Sequence, residues 1–393
     1  MVYKPVMLPE KESDMTTLSA AQVSSLKRAL PFWLSLFAPV IVITATLQGG
    51  LWLILSPLCA WWMFALIDAV VGDDEDNPDP QTPEGDLIWY RAITLLWFPV
   101  QFAMLIWMLA YVPSAPHLGL VGKFAAFMGF GVFSGTIGIT YAHELMHQKN
   151  RIERALGDLL MTSVLYGHFR SEHLRVHHSH VCTPRDPVTA RYNEGFHRFF
   201  PRVLRQSLVS AWRAEAAMLA RRSLPVWHSS NPFWIYAGLQ LGFAALAFAL
   251  GGGIGLGLFA FQAFVAIWQL ELINYIEHYG LTRRHLGDGK YEHVLPHHSW
   301  NSAQKASNWL LINLQRHSDH HYKPDRRFPL LQTYGADRAP TLPYGYPVMT
   351  LAALVPPLWK RIMNPRVRAW RAQFYPDITD WHAYNKALNP APK

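Results

Sequence analysis

Residues 118–147 read LGLVGKFAAFMGFGVFSGTIGITYAHELMH, an apolar stretch that runs without a break into two histidines and a glutamate. At 1.5 Å per residue a helix over this stretch is about 45 Å long, well over the roughly 30 Å of a bilayer's hydrocarbon. Its last turn therefore carries His143 and His147 to, or just past, one edge of the membrane. Below His143 on the same helix face come Ile139 and Gly135, and the stretch also holds Gly129, Gly131 and Gly138. Small residues there either leave space beneath the histidines for a bound molecule or let a neighbouring helix come close, and both readings stand.

Five further segments share this apolar character, near 31–48, 51–71, 87–112, 232–250 and 254–276. With 118–142 they make six stretches able to cross a bilayer, which takes about 20 helical residues each. The expected fold is an all-α integral membrane protein with six transmembrane helices and a histidine-rich region on one side. Short connections at Gly49-Gly50, Val112 to His117 and Gly251 to Gly253 carry no Lys or Arg, whereas the arginine-rich stretch 148–231 and the C-terminal region do. By the positive-inside rule the charged side is cytoplasmic, and the expected location is the inner, cytoplasmic membrane. The chain divides into a cytoplasmic tail (1–30), spans one to four (31–142), a cytoplasmic region (143–231), spans five and six (232–277) and a cytoplasmic C-terminal region (278–393). The loop 73–86, DDEDNPDPQTPEGD, fits least well, being acidic and without Lys or Arg.

Composition agrees with a membrane protein, since 51% of residues are hydrophobic and only 16% charged. The formal net charge of +8 raises nucleic acid as a partner, but the basic residues fall in loops between apolar runs and form no single soluble face, so none is expected. The first apolar run is followed by neither a cleavage site nor a soluble domain and reads as a retained span. Two cysteines, Cys59 and Cys182, support neither a disulfide framework nor an iron–sulfur site, so any redox centre of that kind belongs to another chain.

Nine of the 19 histidines fall into four groups on the charged side: His143 and His147 in HELMH; His173, His177 and His178 in HLRVHH; His278 in NYIEHYGL; and His317, His320 and His321 in HSDHH. Residues three or four apart share a helix face, so two imidazoles there can reach one ion. HELMH alone matches the HExxH pattern of zinc proteases, in which the glutamate is a general base. Such a site leaves the other groups idle, whereas nine imidazoles suffice for two metals with four or five nitrogen ligands each. One group alone is as readily an interfacial or core pair; four agreeing in spacing and side are not.

Each group has an acid beside a histidine: Glu144, Glu172, Glu277 and Asp319. Carboxylates accepting the free ring N–H fix the tautomers and offset metal charge, the competing reading being that some face water. Glu271 and Asn274 precede His278 on its helix. An acid within an apolar run is a functional candidate or lies at a water-accessible edge. His117 and His382 read as surface residues. For His168, His180, His285, His293, His297 and His298 structural roles rank above ligation.

HELMH, EHLRVHH and LQRHSDHH resemble the three histidine boxes of the membrane fatty-acid desaturase and hydroxylase superfamily. NYIEHYGL, YEHVLPHHSWNS and LQRHSDHH together are similar to the membrane alkane 1-monooxygenases, the AlkB-type alkane hydroxylases, over most of the chain from the first span to about Pro347. The resemblance implies a non-haem diiron enzyme that puts one atom of O2 onto the terminal carbon of a medium-chain n-alkane, giving a 1-alkanol. It also implies rubredoxin as electron donor, reduced by an NADH-dependent reductase. The donor is then a separate protein or a fused domain, and the arginine-rich surface suits an acidic one, although the positive-inside bias alone produces such a surface.

An alkane offers neither charge nor hydrogen bonds, so only a shaped apolar cavity can hold it. Gly135 and Ile139 are candidates for its wall, and Trp61 or Trp62 for its closed end, unless those two face lipid. The alternatives are methyl hydroxylation of alkyl-aromatics of the xylene type, desaturation or hydroxylation of an acyl chain, and, from another class, a metal-binding membrane transporter. The last is disfavoured because the candidate ligands lie on one side, with no midplane site. Spacing does not select iron over zinc, copper or nickel; iron rests on the resemblance.

Overall fold

The computed structural model describes residues 20–390, so residues 1–19 of the expected tail lie outside it. Long apolar runs without water must satisfy their backbone groups internally, and the chain does this almost entirely with helices. Among the described residues, five helices are long and apolar enough to cross a membrane: α1 (Gln22–Gln48), α2 (Gly50–Val71), α3 (Glu84–Ser114), α4 (Leu120–His147) and, later in the chain, Phe233–His278. Between the last two come α5 (Arg151–Ser163), α6 (169–180) and α7 (Phe196–Ala220), so Phe233–His278 is α8. Helix α1 starts well before residue 31, because buried Ser25 and Ala29 give the segment ahead of the apolar run its own packed face.

The segments expected as the fifth and sixth spans follow one another with no loop between them. Helix α8 has 46 residues and a single non-helical residue, Gly252, at φ 60° and ψ −155°. That one left-handed glycine turns the chain back on itself, so 233–251 and 253–278 are two arms of a hairpin. Phe243 and Phe259 stack with ring centroids 6.4 Å apart, where a straight helix would separate them by about 24 Å. Helix α4 packs along the second arm. Two of its glycines serve that packing, an added Cβ standing 2.8 Å from the Gln262 carbonyl at Gly131 and 2.6 Å from the Gln269 amide at Gly135, and Gly129 admits α2, with Ser56 2.8 Å from such a Cβ.

The C-terminal region closes over the end of the bundle that carries the histidines. It contains a two-stranded hairpin, β1 (His285–Gly287) and β2 (Lys290–Tyr291), and the helices α9 (Lys305–Leu310), α10 (His317–Tyr322), α11 (Tyr346–Ala353) and α12 (Pro356–Phe374). Buried Asp68, in the last turn of α2, accepts from the Ala306 and Ser307 amides at 2.6 and 3.0 Å and so ties α9 to the bundle. The acidic loop 73–86 lies at this same end. Buried Arg316 donates to the Asp76 and Leu331 carbonyls (2.9 and 2.8 Å) and to that of Asp74 (3.2 Å), strapping the loop across the start of α10.

Candidate metal centre

Four elements deliver the nine histidines. His143 and His147 are one turn apart near the end of α4, His278 is the last residue of α8, and His317, His320 and His321 share one face of the short α10. Helix α6 meets a harder demand, because His177 and His178 are adjacent and an α-helix would point them well apart. Residues His173–His177 form a π turn, whose i→i+5 hydrogen bonds widen the helix. The residue five on then returns nearly to the starting face, and His178 Nε2 comes within 3.0 Å of His173 Nε2. Two other π turns, Leu58–Met63 in α2 and Ser134–Ile139 in α4, flank the space below the histidines.

The rings converge in two quartets, His143, His147, His173 and His320, and His177, His278, His317 and His321. In the first, His147 Nε2 is 2.9 Å from His173 Nε2, and the His143 and His320 ring centroids are 4.4 Å apart. In the second, His317 Nε2 faces those of His278 and His321, each at 3.1 Å, and His177 Nε2 lies 3.2 Å from that of His321. His178 stands between the quartets, with its Nε2 3.1 Å from His320 Nε2. A neutral imidazole carries one N–H, so at most one nitrogen of each facing pair can carry a proton and the others present lone pairs. They are spaced as donors to a cation: two imidazoles about 2.1 Å from one ion have nitrogens about 3.0–3.4 Å apart. Burial, with help from neighbouring rings, holds His173, His178, His317, His320 and His321 well below the ordinary imidazole range, which keeps them in the neutral, ligating form.

The acids are distributed unevenly. Glu277 sits at the second quartet, with Oε2 3.3 Å from His317 Nε2 and Oε1 accepting from the Tyr346 hydroxyl at 2.8 Å. Glu144 and Asp319 are turned to the fold instead. Glu144 accepts from Gln148 (2.9 Å) and the Phe328 amide (3.2 Å), and Asp319 from Arg326, Tyr334 and the Gln332 amide (3.0 Å). Glu172 is fully buried, and among the described residues neither of its oxygens has a hydrogen-bond partner. Burial, reinforced by Asp186 and Glu271, raises its carboxyl well above the usual range. Glu271 is not at a wet edge but buried, accepting from Tyr166 (2.7 Å) and Asn274 (3.1 Å).

The carboxylate that does bind a ring's other nitrogen was not among the candidates: Asp186 Oδ2 lies 3.0 Å from His177 Nδ1. Its other oxygen accepts from the Val188 amide, a turn signature that a Asp-Pro pair inside a histidine-rich stretch could have flagged. His297 and His298 form a third group with Glu292, but the Leu295 amide donates to His298 Nδ1 at 2.9 Å. That bond leaves the proton of a neutral His298 on Nε2, which faces the Tyr375 hydroxyl at 2.7 Å, so the group is a hydrogen-bonded network rather than a ligand set. His117 lies at the other end, 3.0 Å from the Thr46 carbonyl, and His382 is exposed.

Beneath the quartets lies a mainly apolar cavity of about 110 Å³, with His143, His173 and His317 at its head and Trp61, Phe64, Ile139, Trp268 and Leu351 among its walls. Gly135 also lines it. Trp62 does not; it is 46% exposed on the outer face of α2.

Residues 118–352 match the fatty acid desaturase family. The chain is 39% identical to alkane 1-monooxygenase 2 of Pseudomonas aeruginosa, covering 84% of this chain and 87% of that protein. It is 38% identical to alkane 1-monooxygenase 2 of Alcanivorax borkumensis, covering 79% and 83%. A more distant relative, the xylene/toluene monooxygenase hydroxylase component of Pseudomonas putida, is 30% identical over 61% of this chain and 63% of its own length. The histidine-bearing multi-pass membrane chain thus belongs to the fatty acid desaturase family and, within it, to the alkane 1-monooxygenases, which makes it an oxidoreductase.

Proposed function

We propose that the protein hydroxylates the terminal carbon of medium-chain n-alkanes to 1-alkanols, using O2, two iron ions and electrons from rubredoxin supplied by its NADH-dependent reductase. The observation that carries this reading is the convergence of nine imidazoles, three of which, His143, His173 and His317, line the head of an apolar cavity. A hydrocarbon has no polar handle, so a cavity is the means of presenting one end of it to the metals. His143, His147, His173 and His320, with His178 beside them, hold one ion; His177, His278, His317 and His321 hold the other. When bound, the iron pair supplies the activation of O2 and the transfer of one oxygen atom to the C–H bond.

The chain's own residues do the rest. The cavity walls, Ile139 and Phe64 among them, exclude water and align the chain end-on beneath the imidazoles. Asp186 holds His177 in one orientation, and Glu277, braced by Tyr346, offsets positive charge at the second ion. Trp61 closes the far end of the cavity. The arginine-rich side faces the cytoplasm from the inner membrane and receives the acidic donor. The similarity to the xylene/toluene enzyme supports a second reading, oxidation of an alkyl-aromatic methyl group.

The test is incubation of the iron-loaded protein under oxygen-18 gas with rubredoxin, its reductase, NADH and n-octane or n-dodecane, with p-xylene in parallel. Labelled 1-alkanol that disappears in His278→Ala is the expected result. Label found only in the benzylic alcohol would transfer the assignment to the second reading.

A further inference from the structure

The cavity lining descends no deeper than Ala60 on α2, Gly135 on α4 and Trp268 on α8, so its closed end is where these three helices meet. Gln269 stands at that meeting point. Its Oε1 accepts from the Trp61 indole N–H at 3.1 Å and from the Thr136 hydroxyl at 3.2 Å. Its Nε2 donates towards the Gly131 and Val132 carbonyls, each at 3.3 Å, and that of Val265 at 3.4 Å. One amide thus ties together α2, α4 and α8. Trp61 and Thr136 lie in π turns, and the bare Cα of Gly135 leaves the space that the amide occupies.

An indole N–H in an apolar wall keeps its orientation only while it has an acceptor, and burying it without one is costly. Gly135 lies eight residues before His143 on α4, so the clasp sits about 12 Å below the imidazoles. We propose that Gln269 is a positioning residue for chain length: by clasping the Trp61 indole across the closed end, it fixes how long an apolar chain the cavity accepts. The inference rests on the proposed hydroxylation of alkanes. It goes beyond that reading by assigning the limit to an amide on another helix as well as to the tryptophan.

Gln269→Leu removes the clasp at similar volume, and Trp61→Phe removes the indole N–H while keeping an aromatic ring. Both variants and the double variant are compared with the unaltered protein, each at full metal content, for the ratio of n-hexadecane to n-octane oxidation. In parallel, fluorine-19 spectra are taken of protein labelled with 5-fluorotryptophan, the Trp61 resonance being identified by its loss in Trp61→Phe. The expected result is a ratio raised about tenfold by either change and no further by both, with the Trp61 resonance shifted and broadened in Gln269→Leu. Equal slowing of both substrates, or an unmoved Trp61 resonance, overturns the proposal. Should Gln269→Leu fail to accumulate, the ratio in Trp61→Phe decides. If the unaltered protein oxidises neither alkane, the proposed function fails, while the fluorine spectra still decide the clasp.

Discussion

The two histidine quartets contain the same number of rings but differ in their surroundings. The second is wholly buried and has Asp186 on His177 and Glu277 beside His317. The first includes His147, which is only partly buried, and among the described residues no carboxylate pairs with His143, His147, His173 or His320. The charge of an ion at the second quartet would be balanced locally, whereas one at the first would rely on neutral nitrogens alone. Carboxylates on ligand histidines raise ligand basicity and hold the rings in place, so the second quartet should retain its metal the more tightly.

Removing one ligand from each quartet is the harshest way to break this comparison. His278→Ala and His147→Ala should each cut alkanol formation by about a hundredfold or more and lower metal content from two ions towards one. Only His278→Ala should also lower the thermal midpoint strongly, since it strands Asp186 and Glu277 near a site without its cation. Equal midpoints, measured by differential scanning fluorimetry in detergent, would erase the distinction.

A gentler change tests the carboxylates themselves. Asp186→Asn keeps the shape but removes the charge, and should weaken metal retention about 10–100-fold in a chelator titration. Asp319→Asn, at a residue bound to Arg326 and Tyr334, should leave retention within about twofold. If the two behave alike, position relative to the rings does not matter.

The smallest effect is that of pH on the metal-free protein. Buried imidazoles at His173, His178 and His320 and at His317 and His321 stay neutral well below 6.5 in the fold, while the unfolded chain takes up protons as pH falls through about that value. Their contribution is therefore complete above pH 6.5 and drains away below it, and the unfolding midpoint should fall steadily from pH 7 to pH 5. A flat midpoint over that window would mean that the rings are solvated.

Periodicity made much of this architecture legible. The i, i+4 spacing in HELMH and the i, i+3, i+4 spacing in HSDHH follow directly from helix geometry, as do the apolar runs. What escaped depends on chain that is not periodic. Asp186 reaches His177 from a turn nine residues on, and neither composition nor spacing joins them. The π turn in α6 is invisible to a 3.6-residue template, although adjacent His177 and His178 are the reason it is needed. Glu144 and Asp319 had the right neighbours in sequence but met Gln148, Phe328, Arg326 and Tyr334 first in space. The glycines of α4 left two readings open, and neighbouring helices fill most of the room they leave: α8 at Gly131 and Gly135, Ser56 of α2 at Gly129 and Gln101 of α3 at Gly138.

The strap formed by loop 73–86 sets an order of events during synthesis. Its backbone carbonyls at Asp74 and Asp76 leave the ribosome long before Arg316, the residue that binds them, 242 and 240 positions later. At about 5–20 residues per second that interval is tens of seconds. His143 and His147 share the wait, because His317, His320 and His321 follow immediately after Arg316. The nascent chain thus holds an open, half-assembled set of imidazoles until α10 emerges, and the two quartets can close only after that point.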